Sequence, residues 1–150
     1  MNLNDKVALV TGATRGIGAA IASALAQAGA TVIGTATSEA GAAAITQRFA
    51  ESNITGTGMV LDVTSSDSVN AVIKAIAEQF AAPTILVNNA GITKDNILMR
   101  MKDEEWMDVI DTNLTSVFRL AKACVRPMTK ARWGRIINIS SVVGAMGNAG

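Results

Sequence analysis

The chain contains no histidine and no tyrosine among its 150 residues. Without histidine it cannot form a Ser-His-Asp or Cys-His catalytic group or a histidine-ligated zinc site, and we predict no metal site. Its single cysteine, Cys124, excludes an intrachain disulfide and favours a reducing compartment, the cytoplasm. The sequence has no run of 18 apolar residues, so we expect no contact with a membrane.

Charge and aromatic content are also low. Thirteen basic against 12 acidic residues leave a net charge of +1, which gives no reason to expect nucleic acid as a partner. Aromatic residues make up 3% of the chain and hydrophobic residues 49%. This composition is typical of an α/β domain whose sheet is covered on both faces, and the length suffices for one such core.

The most informative segment is an apolar strand, Val7–Val10, that leads into a glycine turn and a helix. Gly12, Gly16 and Gly18 have the spacing Gly-x-x-x-Gly-x-Gly, not the more common Gly-x-Gly-x-x-Gly. By itself this could be an ordinary βα turn. A helix that starts with free N–H groups after a buried strand holds a diphosphate well, so the segment predicts a nucleotide phosphate site.

Short β-branched segments alternate with helical segments along the rest of the chain. The predicted strands are Val7–Val10, Thr31–Thr35, Gly58–Leu61, Thr84–Val87 and Arg135–Ile139. The predicted helices are Gly16 to Ala28, one capped by Ser38, one capped by Ser66, and a long one over Asp103 to Lys130. This alternation predicts a Rossmann-type, doubly wound parallel sheet with strand order 3-2-1-4-5.

The last predicted strand, Arg135–Ile139, has no crossover helix after it in this sequence. It would therefore form an open apolar edge of the sheet, which invites aggregation. We expect residues 1–150 to be the N-terminal part of a single nucleotide-binding Rossmann domain that is incomplete at its C-terminus.

The end of the second strand distinguishes the two nicotinamide cofactors. Binders of NAD usually place Asp or Glu there, whereas this chain has Thr35-Ala36-Thr37-Ser38. Small hydroxyl groups such as that of Thr37, with Arg15 nearby, would accept a 2′-phosphate, so the segment predicts NADP(H). Arg15 could instead be simply solvated, and Glu39 could be only a first-turn acid.

Three further polar segments follow strands or interrupt helices. Asn88-Asn89-Ala90-Gly91 is either a capped turn or part of a ligand crevice beside the first strand. Ser140 and Ser141 end the fifth strand, either as turn hydroxyls or as part of an active site. Asn113 falls in an apolar stripe of the long helix that includes Leu114 and Val125, so we expect it to face the core and to satisfy a backbone carbonyl.

Together, TGATRGIG at 11–18, NNAG at 88–91, Asn113 and Ser140-Ser141 resemble the short-chain dehydrogenase/reductase family. Segments 34–41, 88–106 and 134–150 are similar to the bacterial branch that reduces 3-oxoacyl groups on acyl carrier protein in fatty acid biosynthesis. The resemblance implies a cytoplasmic, NADPH-dependent oxidoreductase. It also implies a homotetramer that associates through the long helix.

The resemblance also implies roles for individual residues. Ser141 would bind the substrate carbonyl oxygen, and Asn113 would bend its helix and hold a water in a proton relay. Asp62, otherwise only a turn acid, would accept from the adenine amino group, and Asn89 and Gly91 would line the ribose and nicotinamide side. The implied cofactor contacts are Gly12, Thr14, Arg15, Gly16, Ile17, Gly18, Thr37, Asp62, Val63, Asn89, Ala90 and Gly91.

One feature of the family has no counterpart in the sequence. Its Tyr-x-x-x-Lys motif would fall just beyond Gly150, so we expect no catalysis by these 150 residues alone. The alternatives are a non-catalytic nucleotide-binding fragment, or a related reductase for a steroid, a sugar alcohol or acetoacetyl-CoA.

Overall fold

Parallel strands form a five-stranded sheet in the computed structural model, which describes residues 2–147. In chain order the strands are β1 (Val7–Val10), β2 (Thr31–Ala36), β3 (Gly56–Val60), β4 (Ile85–Asn88) and β5 (Arg135–Asn138). Their spatial order, β3-β2-β1-β4-β5, confirms the predicted Rossmann-type fold. The final residues of the 134–150 segment and of the predicted 1–150 domain lie outside the described residues.

Helices connect the strands and cover both faces of the sheet. They are α1 (Gly16–Gln27), α2 (Glu39–Glu51), α3 (Ser66–Gln79), α4 (Asp103–Ile110), α5 (Ser116–Lys130) and the short α6 (Val143–Met146). Ser38 caps α2 as predicted, since its hydroxyl accepts from the N–H of Gly41. The predicted cap Ser66 is wrong. Ser65 caps α3 by accepting from the Ser68 N–H at 3.2 Å, and Ser66 is the first helical residue.

The long fourth helix has the predicted ends but is not uniform. A π-helical segment, Asp111–Thr115, separates α4 from α5. A π turn holds more residues than an α turn and therefore rotates the following helix relative to the preceding one. The predicted stripe is consequently wrong in part, because Leu114 and Val125 are exposed. The buried face of α5 consists of Ser116, Leu120, Cys124 and Met128.

The core lies on both sides of the sheet because successive strand residues point to opposite faces. Ala8 and Val10 of β1 pack towards Ile45 and Phe49 of α2. Leu9, between them, packs in a second cluster that includes Val69, Ile76, Leu86 and Leu120. The arrangement explains why β1 is apolar at every position.

Strand β5 lies at one edge of the sheet and pairs with β4. Its apolar residues Ile136 and Ile137 are 40% and 44% exposed, as expected for a strand that is covered poorly. Within residues 2–147, no helix combines the length and the apolar character needed to cross a membrane.

Candidate functional site

The turn between β1 and α1 requires its glycines for two different reasons. Gly12 and Gly16 adopt φ angles of 65° and 57°, in the left-handed region that favours glycine. Gly18 is needed for space, because a Cβ there would lie 2.2 Å from the carbonyl oxygen of Gly12. The Gly-x-x-x-Gly-x-Gly spacing therefore reflects both the bend of the turn and the close approach of α1.

A second turn, which follows β4, is fastened to the glycine turn. The Thr11 hydroxyl accepts from the N–H groups of Asn89 and Ala90, at 3.0 and 2.9 Å. In return, the Asn89 side-chain amide donates to the carbonyl oxygens of Thr11 and Gly12, at 2.9 and 3.0 Å. Asn89 thus holds the two turns together, and the resemblance alone did not indicate this role.

The start of α1 presents unused hydrogen-bond donors. Within the part of the chain that the structure describes, the backbone N–H groups of Thr14, Arg15, Gly16 and Ile17 donate to no protein acceptor. They belong to the residues that precede and begin α1, where the helix dipole adds partial positive charge. This combination suits an anion such as a phosphate group.

These turns open onto a cleft of about 780 Å³ at the carboxyl ends of the strands. Every residue predicted to contact the cofactor lies along its walls: Gly12, Thr14, Arg15, Gly16, Ile17, Gly18, Thr37, Asp62, Val63, Asn89, Ala90 and Gly91. Sequence reasoning missed Leu61, Thr64, Ile92 and Thr112. Their positions next to predicted site residues were the only signal that could have indicated them.

The cleft wall at the end of β2 carries hydroxyl groups. Thr37 and Ser38 are exposed there, whereas Glu39 is not among the lining residues. The exposed Arg15 guanidinium lines the same cleft and has no carboxylate or carbonyl partner within residues 2–147. This wall can therefore receive a negatively charged group without repulsion from a carboxylate.

Asp62 also lines the cleft, in a local turn after β3, the strand that pairs with β2. Its Oδ1 atom accepts from the Thr64 hydroxyl at 2.6 Å and from the Thr64 N–H at 2.9 Å. These hydrogen bonds hold the pKa of Asp62 below its usual value, so the carboxylate stays ionised. Asp62 therefore acts as a turn acid, and its position on the cleft wall is compatible with a ligand contact as well.

Asn113 does not face the core as predicted; its residue is exposed within the π-helical segment. The side-chain amide donates to the Ile92 carbonyl at 2.8 Å and accepts from the Ile92 N–H at 2.9 Å. Asn113 therefore does satisfy a backbone carbonyl, but it does so at the surface. The prediction placed it in the core because a regular helix was assumed.

The two predicted catalytic residues lie outside the cleft walls. Ser141 is exposed beyond the end of β5, and its Oγ accepts from the Val143 N–H at 3.4 Å. Asn113 is not among the residues that line the cleft, whereas its hydrogen-bond partner Ile92 and its neighbour Thr112 do line it. Strand β5 pairs with β4, so the segment with Ser141 leaves the same edge of the sheet as the Asn89 turn.

Other catalytic chemistries have little support in the structure. Burial raises the pKa of the Cys124 thiol to about 12, so it is not a nucleophile at neutral pH. Among residues 2–147, no group of Cys, Asp and Glu side chains converges in a way that could hold a metal ion.

The Rossmann-type sheet and the glycine turn define the class of this protein. Residues 6–150 match the family model for short chain dehydrogenases. The chain therefore belongs to the short chain dehydrogenase family, as the resemblance implied.

Particular relatives are similar over the whole chain. It is 61% identical to the 3-oxoacyl-[acyl-carrier-protein] reductase FabG of Pseudomonas aeruginosa, 63% identical to that of Vibrio cholerae and 60% identical to that of Escherichia coli. These alignments cover 100% of this chain and 60% or 61% of each relative. The chain thus spans about three-fifths of the length of the curated relatives it matches.

Proposed function

We propose that the protein containing this chain reduces 3-oxoacyl groups on acyl carrier protein to (3R)-3-hydroxyacyl groups in fatty acid biosynthesis, with NADPH. The observation that carries the proposal is the identity of 60% or more, over the whole chain, to relatives named for that reaction. Residues 1–150 would then be the nucleotide-binding N-terminal part of the domain.

The residues of the cleft fit NADP(H). The free amides at the start of α1 suit the diphosphate, and Arg15 with Thr37 suits a 2′-phosphate. The absence of a carboxylate between Thr35 and Ser38 supports NADP(H) over NAD(H). When bound, NADPH supplies the hydride for carbonyl reduction.

Residues of this chain would orient the substrate and the turns around it. The Ser141 hydroxyl would donate a hydrogen bond to the substrate carbonyl oxygen as negative charge develops there. Asn113 would fix the segment after β4 through Ile92. The chain has no tyrosine, so the proton would come from the Tyr-x-x-x-Lys motif that the resemblance places beyond Gly150.

The proposal includes a homotetramer and a cytoplasmic location. Large apolar side chains are exposed on α4 and α5, namely Trp106, Met107, Phe118 and Val125, and they support association through these helices. The single cysteine supports a reducing compartment.

An assay of NADPH consumption with acetoacetyl-acyl carrier protein tests the proposal on the protein that contains this chain. We expect turnover with NADPH and much less with NADH. Turnover with a ketosteroid or with the keto form of a sugar alcohol, but not with the acyl thioester, would contradict the substrate assignment. The 150-residue chain alone, which lacks tyrosine, should bind NADPH without turnover.

A further inference from the structure

The side chain of Arg48, which lies outside the cleft, reaches the glycine turn from α2. Its Nη1 donates to the Thr14 carbonyl at 2.8 Å and its Nη2 donates to the Ala13 carbonyl at 2.6 Å. The remaining nitrogen, Nε, is buried and has no partner within residues 2–147. The guanidinium thus directs its hydrogen bonds at two successive peptide groups of one turn.

Because the peptide unit is rigid and planar, a hydrogen bond that fixes its carbonyl also fixes the direction of its N–H group. In a trans peptide, the C=O and the following N–H point in opposite directions. The described residues contain no cis peptide bond, so fixing the carbonyls of Ala13 and Thr14 also fixes the N–H groups of Thr14 and Arg15. These N–H groups point away from Arg48, and both residues line the cleft.

Asn89 completes the same arrangement from the other side of β1. It donates to the carbonyls of Thr11 and Gly12, so the successive carbonyls of residues 11–14 all accept from side chains. With its acceptors occupied by the protein, the turn presents mainly donors to the cleft. An anion then meets a prepared set of N–H groups, which lowers the cost of ordering on binding.

We propose that Arg48 is a positioning residue for the diphosphate of the dinucleotide. It acts through the peptide groups of the turn and has no contact with the ligand itself. The inference rests on the proposed nucleotide-binding function. The role requires the planar fork of a guanidinium, because the three donors of a lysine ammonium group diverge from one nitrogen and cannot reproduce the paired geometry.

The test compares Arg48→Met, Arg48→Lys and a control, Ile45→Val, in the protein that contains this chain. Ile45 is fully buried on the same helix and makes none of the hydrogen bonds to the turn, so its variant leaves a small cavity in the core and lowers the stability of the whole fold while those hydrogen bonds stay in place. Dissociation constants are measured by calorimetry for NADPH and for ADP-ribose, which has the diphosphate but no 2′-phosphate. Thermal unfolding is recorded for each variant.

We expect Arg48→Met to raise the dissociation constants of both ligands by the same factor, about tenfold. Arg48→Lys keeps the charge, and it should still weaken both ligands by about threefold or more. Ile45→Val should lower the melting temperature and leave both dissociation constants unchanged. Equal loss for both ligands places the effect on the adenosine-diphosphate-ribose part that they share and excludes the 2′-phosphate, and the control separates it from a loss of stability.

Several results would overturn the inference. One is an ADP-ribose affinity for Arg48→Met within about twofold of the unaltered protein. Another is a loss confined to NADPH, which would place Arg48 at the 2′-phosphate. Should Arg48→Met fail to fold, an unchanged affinity in Arg48→Lys would have the same meaning. If the unaltered protein binds neither ligand, the proposed function itself is wrong, which is a distinguishable outcome.

Discussion

The side-chain amide of Asn113 pairs with both backbone polar groups of Ile92, at 2.8 and 2.9 Å. This two-point contact joins the π-helical segment to the segment that follows the Asn89 turn. A Cβ at Gly91 would lie 3.2 Å from the Asn113 Oδ1 atom, so the two segments pack closely. The contact suits a carboxamide, because this group offers a donor and an acceptor side by side.

Replacing Asn113 with Ala should lower the free energy of unfolding by about 1 kcal/mol, because two backbone groups of Ile92 lose their partner but remain accessible to water. Chemical denaturation measures the change. Asn70→Ala is a matched control, since Asn70 is exposed on α3. An equal loss in both variants would show that the Ile92 contact contributes nothing.

Replacing Arg15 with Ala should weaken the binding of NADPH by about tenfold and the binding of NADH far less, because only NADPH carries the 2′-phosphate. Fluorescence titration with each cofactor measures both affinities. Arg126→Ala, at an exposed position of α5, controls for the loss of one positive charge. Equal weakening of the two cofactors would contradict the assignment of Arg15 to the 2′-phosphate.

Replacing Ser141 with Ala should lower kcat for the 3-oxoacyl substrate by about a hundredfold, because one hydrogen bond to the developing negative charge is lost. NADPH affinity should stay unchanged. Ser140→Ala, which removes the neighbouring hydroxyl, should retain most activity. If Ser140→Ala lowered kcat more than Ser141→Ala, the hydrogen bond to the substrate carbonyl oxygen would be assigned to Ser140.

Replacing Thr64 with Val should raise the pKa of Asp62 towards 3.8, because the largest cause of its lowering is the Thr64 hydroxyl. The Thr64 N–H still donates, so the pKa should remain somewhat below that value. A carboxyl NMR titration measures it. Ser68→Ala, which removes only a partner of the Asp62 N–H, should leave the pKa unchanged.

The lowered pKa of Asp62 also determines how the stability of the fold depends on pH. A lowered pKa in the folded state stabilises the fold at pH values above the unfolded pKa and loses that contribution as the pH falls through the folded pKa. The contribution of Asp62 should therefore disappear on acidification below about pH 4. In Thr64→Val, the loss of stability that Asp62 causes on acidification should be smaller.

The Cys124 thiol should resist alkylation by iodoacetamide at pH 8 in the native protein and react fully in urea, because burial raises its pKa to about 12. Mass spectrometry measures the modification. Since the pKa is raised from 9.0, folding should lose stability as the pH rises from 9.0 towards about 12. Rapid native labelling would show that α5 opens locally.

The order of the strands and the ends of the long helix could be predicted from the sequence, because both follow from the alternation of strand and helix patterns along it. The individual cofactor contacts were implied by the family resemblance. The buried residues of β1 and the glycines after it can be read without knowing their neighbours. The position of Asn113 could not be predicted. A π turn at Asp111–Thr115 changes the phase of the helix, and no residue pattern signals it.

Side-chain contacts between residues far apart in the sequence could not be predicted either. Arg48 is 34 residues from Thr14 along the chain, and on α2 it resembles any basic residue of a last helical turn. Asn89 lines the cleft, but nothing in the sequence indicated that its amide also donates to the carbonyls of Thr11 and Gly12. Such roles depend on which elements the fold brings together.

The hydrogen bonds from Arg48 to the carbonyls of Ala13 and Thr14 couple the last turn of α2 to the start of α1. Helix ends fray, and each molecule whose α2 end has frayed also has an untethered turn. Any ligand that needs the amides of Thr14 and Arg15 then binds only the fraction of molecules in which that end is docked. Its apparent dissociation constant is the intrinsic constant divided by this fraction. Binding should in turn slow hydrogen exchange at the end of α2, although that end does not contact the ligand.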